Sequence, residues 1–92
     1  MTEQEKNELL MFEKKLKEYV KKIDESWRVD TPFHTTRYWT FKHNGTTYCV
    51  SRATRSFTQD TSYVFSQELG KVLYFGMSKQ DLFSKIAEIM RS

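Results

Sequence analysis

From Arg37 to Arg52 the chain reads RYWTFKHNGTTYCVSR, two runs of alternating apolar and polar positions on either side of Asn44-Gly45. Alternation at period two is the pattern of a strand with one buried face. Asn-Gly is the preferred pair for a two-residue type I′ turn, because both central residues take φ > 0. Such a loop fixes the register: His43 faces Thr46, Phe41 faces Tyr48, Trp39 faces Val50 and Arg37 faces Arg52. Trp39, Phe41, Tyr48 and Val50 then share a core face. Tyr38, Thr40, Lys42, Thr47, Cys49 and Ser51 share the opposite, solvent face.

The period changes on both sides of this hairpin. In residues 3–25, Leu9, Phe12, Leu16, Tyr19 and Ile23 recur every three or four positions, and Leu10 and Val20 widen the stripe. The spacing predicts an amphipathic helix of about 34 Å, capped by Thr2 with Glu5 and braced by Glu13–Lys17 and Glu18–Lys22 pairs. A helix of that length overhangs a six-residue strand, so apolar side chains near its free end are expected to be covered by self-association in a homodimer. Residues 26–36 read as a crossover, with Pro32 ending any helix before it and Trp27 and Phe33 as outlying core. At the other end, Ser78 followed by Asp81 is a capping arrangement for a final helix whose stripe is Leu82, Phe83, Ile86, Ile89 and Met90.

Two further strands are expected between hairpin and final helix, SYVFSQ (62–67) and KVLYFG (71–76), joined by a loop with Gly70 at a left-handed position. With a three-residue loop, Phe65 faces Leu73 and Tyr63 faces Phe75 on one side of the sheet. If Asp60-Thr61 is a two-residue turn, the other side carries Val64, Ser66, Val72 and Tyr74 beside Arg55 and Phe57. A β-bulge in the second strand reverses that assignment. The order is α-β-β-β-β-α. The economical architecture is α+β, a four-stranded antiparallel meander with both helices packed on its apolar face, in a single domain spanning residues 1–92.

Composition narrows the chemistry. Fifteen Lys and Arg against twelve Asp and Glu give a net charge of +3, and the excess falls on residues 26–77, with six basic and three acidic groups. The single cysteine, Cys49, permits no intramolecular disulfide and points to a reducing, cytoplasmic setting. One Cys and two distant His, His34 and His43, do not make a zinc site. No apolar run resembles a secretion signal or a membrane span, so no membrane partner is expected. The three glycines sit at turns or strand ends rather than in a phosphate loop. Cys49 and His43 fall on opposite faces and form no nucleophile–base pair. No catalytic residue and no cofactor is therefore expected.

The α-β-β-β-α order is similar in outline to double-stranded-RNA-binding domains, and GMSKQDLFSKIAEIM to their final helix. Such domains start that helix with a lysine cluster. Here Lys79 stands alone before Gln80 and Asp81, and a fourth strand is left over. The ending, over residues 70–90, also resembles single-stranded-DNA-binding transcriptional coactivators, through capping chemistry common to many helices. The chain is assigned to neither.

What remains is a binding module. Tyr38, Lys42, Arg55, Phe57, Val64 and Tyr74 are the expected partner-binding residues, an aromatic and basic patch on the uncovered sheet face. The partner expected is another protein, the chain acting as a small intracellular adaptor or inhibitor, like those of phages and mobile elements. The alternative partner is nucleic acid, with Arg37, Lys42, Arg52, Arg55 and Lys71 tracking phosphates.

Overall fold

The computed structural model describes residues 3–32, 34–55 and 61–92, without the side chains of Glu5, His34 and Arg55. The expected cap at Thr2 lies outside the described residues. The elements are α1 (Glu3–Tyr19), β1 (Glu25–Asp30), β2 (His34–His43), β3 (Thr46–Arg55), β4 (Thr61–Ser66), β5 (Lys71–Gly76) and α2 (Lys79–Arg91). The strands form one antiparallel sheet in chain order, β1-β2-β3-β4-β5. The fold is α+β with both helices on one face, and the sheet has five strands where four were expected.

The central hairpin has the expected register, from His43 opposite Thr46 to Arg37 opposite Arg52. Asn44 and Gly45 take φ of 51° and 80°. A Cβ added at Gly45 would meet nothing within 4 Å, so any penalty for a side chain there comes from the backbone alone. Gly45→Val is expected to cost about 1–2 kcal/mol, because a β-branched residue is strained at positive φ. An unshifted thermal midpoint would contradict this.

The extra strand comes from residues assigned to the first helix and the crossover. The last α-helical bond of α1 is Val20 N–H to Leu16 C=O, at 3.0 Å, and four residues later Asp24 N–H donates to Thr40 C=O in the sheet. Glu25–Asp30 then pairs along β2, with Trp27 opposite Tyr38 and Val29 opposite Thr36. At seventeen residues α1 is about 25 Å long, shorter than the ten-residue strands β2 and β3 beneath it at about 33 Å. The length that predicted an overhang is therefore not reached, while Leu10 and Met11 of α1 remain exposed. Glu13 and Lys17 pair as expected at 3.7 Å, whereas Lys22 lies beyond the helix and reaches Asp24.

The core fills the space between the helices and one sheet face. Leu9, Phe12 and Leu16 of α1 and Leu82, Phe83, Ile86 and Ile89 of α2 close over Trp39, Phe41, Val50 and Val64. Phe12 stacks on Trp39 with ring centroids 5.0 Å apart and touches Phe83 at 5.3 Å. One aromatic thus joins sheet and both helices. The cap of α2 is as expected: the Ser78 hydroxyl accepts from Asp81 N–H at 3.2 Å.

The far half of the sheet is turned over relative to the expectation. Val50 pairs with Val64, and Tyr48 with Ser66. Phe57 opposite Val64 would have been seven positions away along β3. An odd shift moves every side chain to the other face. Ser62, Val64 and Ser66 therefore point into the core, and Tyr63 and Phe65 point out. Small inward residues leave room for Arg52, which donates to the Ser62 hydroxyl. The loop before β5 has four residues, with Gly70 at φ 60°, and Ser66 opposes Lys71. The pair Tyr63–Phe75 survives because a bulge at Leu73 restores the register there, while Phe65 now opposes Val72.

Candidate functional site

Both helices lie on one side, so the opposite face of the sheet has no helix over it. The pairing carries three rows of side chains across that face. The middle row runs Trp27–Tyr38–Ser51–Tyr63–Phe75, one residue from each strand. Beside it run Glu25–Thr40–Cys49–Phe65–Val72 and Val29–Thr36–Ala53–Thr61. Strong strand formers, β-branched and aromatic, fill most of these positions.

The face has relief. Within these rows its central strand, β3, contributes small side chains, Cys49, Ser51 and Ala53. Cys49 and Ser51 are buried, although no helix covers them. The larger residues on either side stand above them: Trp27 and Tyr38, stacked at 5.1 Å and 13° between planes, on one flank, and Tyr63, Phe65 and Phe75 on the other. The result is a floor of small residues along β3 that these larger side chains cover, with Tyr63 hydrogen-bonded to Ser51.

The three rows are also nearly without charge. Burial pushes the Cys49 thiol up. Burial, with smaller contributions from Cys49 and Tyr38, pushes the Tyr63 phenol up as well. Both groups are therefore neutral at neutral pH. Among the fourteen residues of the three rows, Glu25 is the one acidic or basic side chain. Large apolar side chains are nonetheless left in water: Phe75 is 69% exposed, Val72 51% and Trp27 42%.

The six residues expected to bind a partner do not come together. Tyr38 is on this face, half-buried in the middle row. Lys42 is exposed at the end of β2 and borders a cavity of about 260 Å³ with Val20, Asp24 and Met90. Arg55 ends β3, with its side chain outside the described residues, and Phe57 lies outside them altogether. Val64 and Tyr74 are corrections: Val64 is fully buried in the core, and Tyr74 packs against the core with its hydroxyl donating to Ser78 C=O at 3.0 Å. The one-face flip of β4 and β5 accounts for both. Trp27, Tyr63, Phe65 and Phe75 take their place. Trp27 and Val29 alternate with Ser26, Arg28 and Asp30, a strand signal that the adjoining helical pattern obscured.

No protein family, curated protein or solved structure matches this chain. Its function has to be read from the surface itself.

The basic groups expected beside the outer aromatics are dispersed. Arg52 is on the core side, its side chain 4% exposed, bound to Glu8 at 2.9 Å. Arg37 donates to the Ser26 hydroxyl at 3.0 Å and, with Arg28, borders a cleft beside α1. Lys71 opposes Ser66, also in core-side register. Of the cations expected to track phosphates, Lys42 is the one that stands on the outer side among the described side chains.

Proposed function

We propose that this chain is a non-enzymatic protein-binding module, an adaptor or inhibitor that receives an apolar surface of its partner on the uncovered sheet face. The observation that carries the reading is the row Trp27–Tyr38–Ser51–Tyr63–Phe75, which crosses all five strands without a charge and leaves two of its aromatics in water. Exposed apolar patches of this extent mark interaction sites, and aromatic anchors over a desolvated floor are where binding energy concentrates. A reducing, intracellular setting suits a module whose one thiol is buried and free. Nucleic acid is the weaker reading, because phosphate-driven binding needs cations beside the stacking rings, and among the described side chains of the strands Lys42 is the one cation on this face.

Capture of partners from a native lysate, with and without nuclease, tests the proposal. Trp27→Ala and Phe75→Ala are each expected to weaken capture by about 1–3 kcal/mol, and Trp27→Ala to leave the thermal midpoint nearly unchanged. The complex should respond little to salt between roughly 50 and 200 mM, a range over which phosphate-driven complexes weaken steeply. Capture that survives both substitutions, or vanishes with nuclease, would refute it.

A further inference from the structure

The sheet has two free edges, and they are built differently. The unpaired N–H and C=O groups of an edge strand are a template for another strand, and proteins guard such edges with charge, proline or a bulge. β1 is guarded by charge. Glu25, Arg28 and Asp30 make up half of its six residues, and Arg28 bonds Asp30 at 3.1 Å. β5 has one charge, Lys71 at its first position, and the next along the chain is Lys79. Leu69, Val72, Phe75 and Met77, all large, apolar and exposed, lie on this strand and its two flanks.

We propose that β5 pairs antiparallel with β5 of a second copy of this chain, joining two five-stranded sheets into one of ten strands. The bulge selects both the occupant and the register. Because Leu73 is the extra residue, Val72 and Phe75 share the outer face although they are three positions apart, while Leu73 and Tyr74 both pack against the core. A two-fold axis between Leu73 and Tyr74 sets Val72 opposite Phe75 of the second copy, outer face to outer face. The same axis sets Lys71 opposite Gly76, so no like charges meet. A slip of one residue would oppose Val72 to Tyr74, residues of different faces. A bulge bends its strand and hinders pairing with a regular one. A second copy carries the same bulge, and the axis brings the two together. The uncovered aromatic face then continues across the junction, doubled in width.

Sedimentation velocity on the full chain at high micromolar concentration tests this. The unsubstituted protein is expected to sediment at twice its 11.1 kDa. Val72→Lys and Phe75→Glu, each setting a charge against an apolar side chain, are expected to give monomers. The double variant V72K/F75E sets the introduced lysine against the introduced glutamate twice and is expected to restore the dimer. Val29→Lys, at the other edge on the same face, is expected to leave it intact. Far-UV circular dichroism confirms that each chain compared is folded. Should one single variant unfold, the other carries the same comparison. A monomeric unsubstituted protein, open polymers, a dimer indifferent to both single substitutions, a double variant that stays monomeric, or dissociation by Val29→Lys would overturn the proposal. None of these outcomes depends on which protein the sheet face binds.

Discussion

Trp39→Ala is expected to destabilise the protein by about 3–5 kcal/mol, a large share of the roughly 5–15 kcal/mol that holds a domain together. Trp39 is fully buried and lies under Phe12, which itself touches Phe83. Removing the indole opens a cavity where sheet, α1 and α2 meet, and close-packed surroundings relax into such a space only in part. Trp39→Phe should cost much less than its loss of volume implies. The indole N–H has no hydrogen-bond partner among the described residues, and replacing a buried unsatisfied donor with carbon recovers part of its desolvation cost. Urea titration checks both, with an unchanged slope and a lowered midpoint for the alanine variant. Equal midpoints for Trp39→Ala and the edge variant Trp27→Ala would show that the faces have been misassigned.

Glu8→Ala is expected to cost about 2–4 kcal/mol, since taking one partner from a buried ion pair leaves the other charge in the interior. The Glu8 Oε1 atom accepts from Arg52 Nη2 at 2.9 Å and from Lys79 Nζ at 2.6 Å. Arg52 also donates to the Ser62 hydroxyl and lies over the Phe12 ring at 5.7 Å. Replacing the pair together, Glu8→Leu with Arg52→Met, should cost far less than Glu8→Ala, because an apolar pair of similar volume leaves no charge stranded. The same cluster governs acid stability. Burial raises the Glu8 carboxyl, but hydrogen bonds and charge from Lys79 and Arg52 outweigh that and bring it below its ordinary 4.5. A carboxylate depressed on folding stabilises fully above the unfolded value and loses that contribution as pH falls through the folded one. Stability should therefore decline as pH drops below about 4.5, and more gently in the Leu–Met pair than in the unsubstituted chain. Parallel declines would show that Glu8 is not a source of the effect.

The parts of the fold legible in the sequence are those set by neighbouring residues. Asn44-Gly45 dictates its own turn, Ser78 and Asp81 cap α2, and Gly70 takes the left-handed position. β1 was partly legible: Trp27 and Val29 alternate correctly, but the charged, unbroken run before them has equally good helix propensity, and only pairing with β2 ends the helix at Tyr19. The orientation of β4 was not legible. Nothing between Arg55 and Thr61 fixes a loop length, and the pairing of Val50 with Val64 is decided by what the core has room for. Tyr63 and Phe65 look like inward residues beside Ser62 and Ser66. They face out because the inward positions lie under Arg52 and the helices. That inversion removed Val64 and Tyr74 from the binding surface and brought Tyr63 and Phe65 onto it. The burial of Arg52 depends on Glu8, 44 residues away, a distance no local pattern spans.

Strand order that follows chain order has an effect on the entropy of assembly. The connections between paired strands are three, two, five and four residues long, and closing loops this short costs the chain little freedom. The whole sheet is thus put together from neighbours. The distant encounters are those of the helices: the Asn44 amide donates to Ser92 C=O, 48 residues away, and Glu8 of α1 reaches at once to the third strand and to the start of the last helix. The closure of α1 onto α2 is thus fastened by one carboxylate shared between a buried guanidinium and a lysine.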